Sequence, residues 1–341
     1  MKFRATLDDM PLETSVRKIA APLFLALVLC IPLAAEGFTL DISVWGGISF
    51  GQAEEKVWFN AEKEELLSLL TWPMLPVWRY GIGIESRGPK GLFINGSVSA
   101  AVPAPSGTST NEDWVDRPAS AERTHFSSHE AHLETGFDAE IRAGWLFFFE
   151  DLFGPERSLS FIPSLGLRYG YWKWSAYNGS GDYPWGDEEF LGLVTSYSQE
   201  TLVPLLSLEG RAAVHPRLEL RLSYALSPIV SARAQDNHLL ASKRVDYHDH
   251  FENQWFHRPT LSAAWLINAK TALFLEGEWL YIGGEPGDTY TIYVPASPVV
   301  GPAINGASMT FSQGSIRLGV RVSTSESTIK AIELPGGVVS F

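Results

Sequence analysis

The chain has 341 residues, of which 45% are hydrophobic, and it carries a formal net charge of −13. This acidic balance argues against nucleic-acid binding and favours cationic partners or substrates. The single cysteine, Cys30, excludes a disulfide and an all-cysteine zinc site from the rest of the chain. After the N-terminal segment, no apolar run approaches the ~20 residues that a membrane-spanning helix needs.

Residues 1–37 have the pattern of a secretory signal peptide. Arg17 and Lys18 precede an uncharged apolar stretch over residues 19–35, which ends in small residues. An anchor helix is the alternative interpretation, since the stretch lies at the lower edge of the ~17–25 residues that span a bilayer. We expect export, with a mature chain that begins near residue 38.

The mature chain repeatedly alternates apolar and polar residues with a period of two. The pattern occurs in FDAEIRAGW (137–145), RLELRLSY (217–224), ALFLEGEWLYI (272–282) and SIRLGVRVS (315–323). Such alternation predicts β-strands with one apolar and one polar face.

Two all-β architectures produce this alternation. A soluble sandwich buries the apolar face, whereas an outer-membrane barrel turns the apolar face to lipid and the charges into its lumen. Long strands, the export signal and the aromatic clusters at 169–174 and 279–281, which resemble interfacial girdles, favour an antiparallel transmembrane β-barrel. The polar segments 104–132, 178–189, 232–250 and 283–308 are predicted to be long loops between strands.

Two of these polar segments carry residues suited to water activation. GTSTNEDWVDR (107–117) contains Asp113, and SARAQDNHLLASKR (231–244) contains Asp236 and His238. In an extended chain, residues i and i+2 share a face, so Asp236 could orient His238 as a general base. A facing carboxylate could then hold the water. Each motif alone is equally compatible with a solvated polar loop.

Together with other motifs, these residues resemble the omptin family of outer-membrane aspartate/histidine endoproteases. DNHLLASKRVDY (236–247) matches without gaps the stretch that holds the family's catalytic residues, and GTSTNEDWVD (107–116) is similar to its Asp-x-Asp-Trp loop. DISVWGGISFGQAEEKVWF (41–59), LEGEWLYIGGEPGDT (275–289) and SIRLGVRVS (315–323) resemble its first and last strands. The resemblance implies a barrel of about ten strands over residues 38–323, with a proteolytic groove at its extracellular mouth, followed by a C-terminal extension at 324–341.

The resemblance assigns catalytic roles residue by residue. Asp236 and His238 match the family's Asp–His dyad, and Asp113 matches the second acid of the facing pair. Asn111 stands where the first acid is expected, so the chain departs from the pattern there. Asn111 can still hydrogen-bond, and Asp113 remains.

The resemblance also implies acids that bind a basic side chain of the substrate. Glu55 matches one such acid, while the position of the other is occupied by Ala234. Glu122 is similar in place to the acid that meets the residue after the cut. Lys173 and Ser175 replace residues that omptins use to contact lipopolysaccharide, so dependence on lipopolysaccharide is not implied.

Two further patterns suggest different chemistry. His248 and His250 share a strand face and could bind zinc, but no third ligand stands at a recognisable spacing, so we expect a solvated strand end and no metal. GISFG (47–51) fits the serine-nucleophile pattern formally, yet Ser49 lies within an alternating strand without a following helix. No cofactor is expected.

The sequence therefore predicts an outer-membrane endopeptidase that cleaves near basic residues of cationic peptides or proteins and has outer-membrane lipid around it. The alternative is an inactive omptin-like barrel that serves as an adhesin or a structural envelope protein, motivated by Asn111 and Ala234. A small-solute pore is disfavoured, because charged side chains largely fill the lumen of a barrel of this size.

Overall fold

A computed structural model describes residues 38–59, 65–115, 123–149, 158–239, 244–294 and 299–324. These residues are almost entirely β-strand, with one 3-10 turn at Pro89–Gly91. Within these ranges, no helix has the length and apolar character needed to cross a bilayer. The strand segments are β1 (Thr39–Trp58), β2 (Leu66–Arg87), β3 (Leu92–Ala101), β4 (Ala104–Asp113), β5 (His125–Trp145), β6 (Phe147–Phe149), β7 (Ser158–Tyr183), β8 (Gly186–His215), β9 (Leu218–His238), β10 (Arg244–Leu266), β11 (Thr271–Gly283), β12 (Gly287–Val294) and β13 (Val299–Ser323).

The strands form one closed antiparallel ring. β1 pairs with β2 on one side and with β13 on the other, which joins the first strand to the last. β3 and β4 are successive pieces of one barrel strand, because both pair with β2 and β5, and β11 and β12 likewise continue one another beside β10. β6 continues β5 beside β7, so the thirteen segments form about ten barrel strands, as predicted.

The outward face of the ring is apolar along its middle. Leu222 on β9 and Leu318 on β13 are 64% and 61% exposed, whereas Arg317, next to Leu318, points inward and pairs with Glu278 at 2.8 Å. A sandwich would bury the leucines and expose the arginine. The observed direction is that of a barrel whose outer face meets lipid.

The lumen on the side of the chain termini, which we call the proximal lumen, is lined by ion pairs. Arg211 binds Glu85 through two hydrogen bonds of 2.6 and 2.7 Å and also contacts Glu209 at 2.6 Å. Asp138 lies between the guanidinium groups of Arg79 and Arg168, and Glu140 pairs with Arg258. Polar residues on the inward face of the alternating strands thus compensate one another's charge.

The strands continue well past the apolar belt, which corrects the prediction of long loops. β8 runs for 30 residues, against the ~9–11 that a tilted strand needs to cross a bilayer. Beyond Phe50 on β1, the outward residues become polar at Gln52, Glu54 and Lys56. Most residues of the four polar segments extend the strands at the end away from the chain termini, which we call the distal end. They lack an apolar face, so hydrophobic alternation does not reveal them.

An apolar layer separates the proximal lumen from the distal end. Trp72 on β2 stacks on Tyr197 of β8 with ring centroids 5.6 Å apart, and Trp172, Trp174 and Phe311 pack beside them. Trp172 and Trp174 were expected in an interfacial girdle, but they are buried. Both side chains point inward from β7. An aromatic cluster shows on which side of the sheet it lies only when each residue is assigned to the inward or the outward positions of its strand.

The predicted signal peptide and most of the C-terminal extension lie outside the described residues. The last strand ends at Ser323, and the Thr324 amide donates a hydrogen bond to the Leu40 carbonyl. Both described chain ends therefore meet at the proximal end of the barrel.

Candidate active site

Asp236 and His238 form a hydrogen-bonded pair at the distal end of β9. His238 Nε2 lies 2.7 Å from Asp236 Oδ2, and Asp236 Oδ1 accepts a hydrogen bond of 2.9 Å from the Thr195 hydroxyl of β8. Asp236 is 2% exposed, whereas the side chain of His238 is 38% exposed. Two residues apart on one strand, both side chains face inward, with the imidazole nearer to solvent.

The pairing decides the tautomer of His238. An ionised carboxylate can only accept hydrogen bonds, so the proton of the neutral imidazole lies on Nε2 and the lone pair on Nδ1. The charge of Asp236 raises the pKa of His238 above its ordinary value, against the opposing effect of burial, and Asp113 adds to the rise. Asp236 thus holds the ring in place and favours its protonated form.

Asn111 and Asp113 lie on the inward face at the end of β4. The Asn111 amide donates to Asp113 Oδ2 at 3.3 Å, and the Ser68 hydroxyl of β2 donates to Asn111 Oδ1 at 3.0 Å. Burial raises the pKa of Asp113, and its hydrogen bonds and the positive charge available on His125 and His238 partly offset this rise. Asn111 keeps the geometry of a facing pair while removing one negative charge.

The two motifs face each other across the barrel mouth. β4 belongs to the third barrel strand and β9 is the seventh, so they stand on nearly opposite sides of a ten-membered ring. Both motifs lie at the distal end, and Asp113 and His238 influence each other's pKa. The fold therefore brings together residues that are more than a hundred positions apart in the sequence.

Glu55 is buried deeper on the same inward surface. Directly paired residues of neighbouring strands share a face, and Asn111 pairs with Leu70, which pairs with Glu55. Burial raises the pKa of Glu55 well above its ordinary value, and the neighbouring carboxylates Asp249 and Asp236 raise it further. Glu55 thus shares the inward surface with Asn111 and lies close to Asp236 and Asp249.

The structure adds two residues that sequence reasoning missed. Thr195 orients Asp236, and Asp249, which is fully buried on β10, lies beside Glu55. Asp249 stands in the YHDHF segment between His248 and His250, which were considered as zinc ligands and lie on the opposite strand face. The period of two, counted from Tyr247, would have placed Asp249 inward, but only the β9–β10 register gives its neighbours.

The remaining candidate residues lie elsewhere. Glu122 falls outside the described residues. His248 and His250 lie on the outer face of β10, and within the described ranges no cluster of three or more His, Cys, Asp or Glu could hold a metal ion. Ser49 is buried in the middle of β1, paired with Val77 and Ser315, with no strand-to-helix turn after it.

The fold and its apolar outer belt define the class of the protein: an outer-membrane β-barrel. The family model described as "Omptin family" matches residues 34–323, which is most of the chain. The chain belongs to the omptin family and is a protein of the bacterial outer membrane.

A solved structure shares this fold. The outer membrane protease OmpT from Escherichia coli superposes with a TM-score of 0.74 at 16% identity, over 85% of this chain and 99% of that chain. At this identity the likeness concerns the fold. The transport unit of the autotransporter AIDA-I from Escherichia coli reaches a TM-score of only 0.31 at 12% identity, covering 89% and 97% of the two chains. A search of curated proteins found no match.

Proposed function

We propose that this protein is an outer-membrane endopeptidase that hydrolyses peptide bonds near basic residues, with Asp236 and His238 activating a water molecule. One observation carries the proposal: the buried Asp236 carboxylate is hydrogen-bonded to the half-exposed His238 at the barrel mouth, opposite Asp113. We place the distal mouth on the exterior side of the membrane. The proximal end, where both described chain ends lie, is then on the opposite side.

His238 is the general base of the proposed reaction. Its Nδ1 accepts a proton from a water molecule as the water oxygen attacks the peptide carbonyl carbon. The imidazolium, stabilised by Asp236, then gives this proton to the departing amine nitrogen as the C–N bond breaks. Asp113 keeps acceptor capacity after binding the Asn111 amide, so it can hold the attacking water from the far side.

Asn111 is the observation that favours the alternative of an inactive barrel. An amide at this position holds Asp113 but adds no negative charge beside the water. Water activation then depends on His238 and on one carboxylate. The proposal requires that these suffice for measurable cleavage.

The test uses the full mature protein refolded in detergent, with and without added lipopolysaccharide, so that a lipid requirement is not mistaken for inactivity. Peptides with one arginine, with paired basic residues, or with none are incubated with wild type, His238→Ala and His250→Ala. The proposal expects cleavage beside basic residues, lost in His238→Ala and kept in His250→Ala, which removes an exposed imidazole on the outer face of β10.

Two results would oppose the proposal. Equal cleavage by wild type and His238→Ala would remove His238 from the reaction. No cleavage by wild type under either lipid condition, with activity gained in Asn111→Asp, would identify a decayed site and favour the adhesin or structural function.

A further inference from the structure

Glu55 and Asp249 differ from the other buried acids of the described chain in having no cationic partner. Asp41, Glu85, Asp138, Glu140, Glu209 and Asp246 each pair with an arginine, and Asp236 pairs with His238. Within the described ranges, neither Glu55 nor Asp249 takes part in an ion pair, although they are 2% and 0% exposed. Buried charges are normally paired, so this arrangement needs an explanation.

Three of their four carboxylate oxygen atoms, Glu55 Oε2 and both oxygen atoms of Asp249, also lack a hydrogen bond among the described residues. Thr289 and Glu55 lie beside the Asp249 carboxyl, but neither makes a bond of normal geometry to it, and Glu55 Oε2 is equally unsatisfied among the described residues. Unsatisfied buried polar atoms point to a ligand or a functional site. The charges that act on these two acids come from each other and from Asp236.

The β9–β10 register connects Asp249 with the acid that the omptin pattern expects and this chain lacks. Ala234 stands at that position, and Asp249 is its direct cross-strand partner, just as Tyr247 is the partner of Asp236. Directly opposed residues point to the same face with Cβ atoms about 5 Å apart. A carboxylate at 249 therefore lies on the same part of the inward surface as one at 234.

We infer that Asp249 replaces the missing acid at position 234, and that Asp249 and Glu55 together bind the cationic side chain of the substrate. The inference rests on the proposed function for its substrate, and its geometry is independent of catalysis. An arginine guanidinium, with its five donors in a planar fork, can satisfy the free oxygen atoms of both carboxylates. The buried Tyr197, which stacks on Trp72 in the apolar layer, lies close to both carboxylates.

A binding experiment tests the inference without requiring turnover. Two fluorescent peptides that differ only in arginine or its neutral isostere citrulline are titrated onto the detergent-refolded His238→Ala protein. We expect the arginine peptide to bind at least about 30-fold more tightly, because pairing with a buried carboxylate is being measured. In His238→Ala/Asp249→Asn this ratio should fall towards one.

Two further variants control for general electrostatics and for misfolding. Glu252→Gln removes a charge from the exposed face of the same strand and should leave the ratio unchanged. Ala234→Asp/Asp249→Ala moves the carboxylate across the strand pair at constant composition and should restore the ratio. A ratio that survives in Asp249→Asn, or a swap variant that is folded but does not discriminate, would overturn the inference.

The failure of this inference is distinguishable from that of the proposed function. If wild type cleaves beside arginine and the Asp249→Asn variant keeps the full preference for arginine over citrulline, the peptidase stands and Asp249 has no part in specificity. If wild type cleaves nothing but the arginine-to-citrulline binding ratio depends on Asp249, the pocket stands on a protein that is not a peptidase.

Discussion

The buried acids of the proximal lumen have cationic partners, whereas most of those at the distal mouth do not. In the proximal lumen, Glu85 receives two hydrogen bonds from Arg211, and Asp138 lies between two arginines. At the mouth, Glu55 and Asp249 have no cation among the described residues, and Asp236 has only an imidazole. The same strands and the same inward face carry both regions.

We interpret the paired acids of the proximal lumen as part of the folded structure, and the unpaired acids of the mouth as binding groups for a ligand. A buried ion pair that is fully hydrogen-bonded fixes the arrangement of the strands around it, although its net stabilisation is small. A buried carboxylate without a partner destabilises the protein until a cation arrives. Substitutions should therefore affect folding in one region and activity or binding in the other.

Asp236→Asn should have the largest effect, on activity. The amide cannot stabilise an imidazolium and can impose the wrong tautomer on His238, so kcat/KM for an arginine peptide should fall by about a thousandfold or more. The gel migration of unheated protein checks that the barrel is still folded. Activity within tenfold of wild type would remove the dyad from the mechanism.

Arg211→Met should have the largest effect on folding. It leaves Glu85 and Glu209 without their strongest partner, so the free energy of unfolding in urea should drop by about 3–5 kcal/mol. The double variant Arg211→Met/Glu85→Gln should recover part of this loss. The kcat/KM of the remaining folded protein should stay unchanged. A loss of kcat/KM in the folded protein would contradict the separation of the two regions into one that affects folding and one that affects activity.

Asp249→Asn should stabilise the protein at pH 8 and not at pH 4. Burial raises the pKa of Asp249 from 3.8 to about 7, so the stability that the protonated acid provides is complete below its unfolded pKa and is lost as the pH rises through 7. Asparagine has no such titration, and the gain at pH 8 should be about 1–3 kcal/mol. Urea midpoints at the two pH values measure it, and a loss of stability at pH 8 would contradict the prediction.

The affinity for an arginine peptide should change least, by about tenfold between pH 6 and 8. The affinity should rise with pH because Asp249 becomes charged through pH 7 while arginine stays charged. Glu55, Asp236, Tyr197 and Tyr247 are further titratable groups close to this site, so binding is measured for His238→Ala with and without Asp249→Asn. A pH dependence that survives in the double variant would assign the titration to one of those groups.

Much of the fold could be predicted from local pattern. The alternation at 217–224 and 315–323 gave strands, and export and strand length favoured a barrel over a sandwich. Hydrophobic alternation did not reveal the distal halves of the strands, because the outer faces of β8 and β9 are polar there. In that region the strands are defined by backbone hydrogen bonds to their neighbours. The lumen pairs were equally hidden, since Arg211 and Glu85 are 126 positions apart.

The candidate site divides in the same way. The Asp236–His238 contact follows from two residues spaced at i and i+2 on a strand, and the structure contains it. The function of the dyad and the basic specificity stay predictions. Asp249 could not be recognised as a partner of Glu55, because its place depends on which residue of β9 it opposes.

The sequence by itself determined the strand segments that alternate in polarity, their two faces and the contact between Asp236 and His238, since these depend on the geometry of a few consecutive residues. Only the tertiary structure decided that β4 and β9 face each other at one end and that Asp249 stands opposite Ala234. Ring closure and strand register arise from hydrogen bonds between residues far apart in the chain, and a shift of one residue would turn every side chain to the other face.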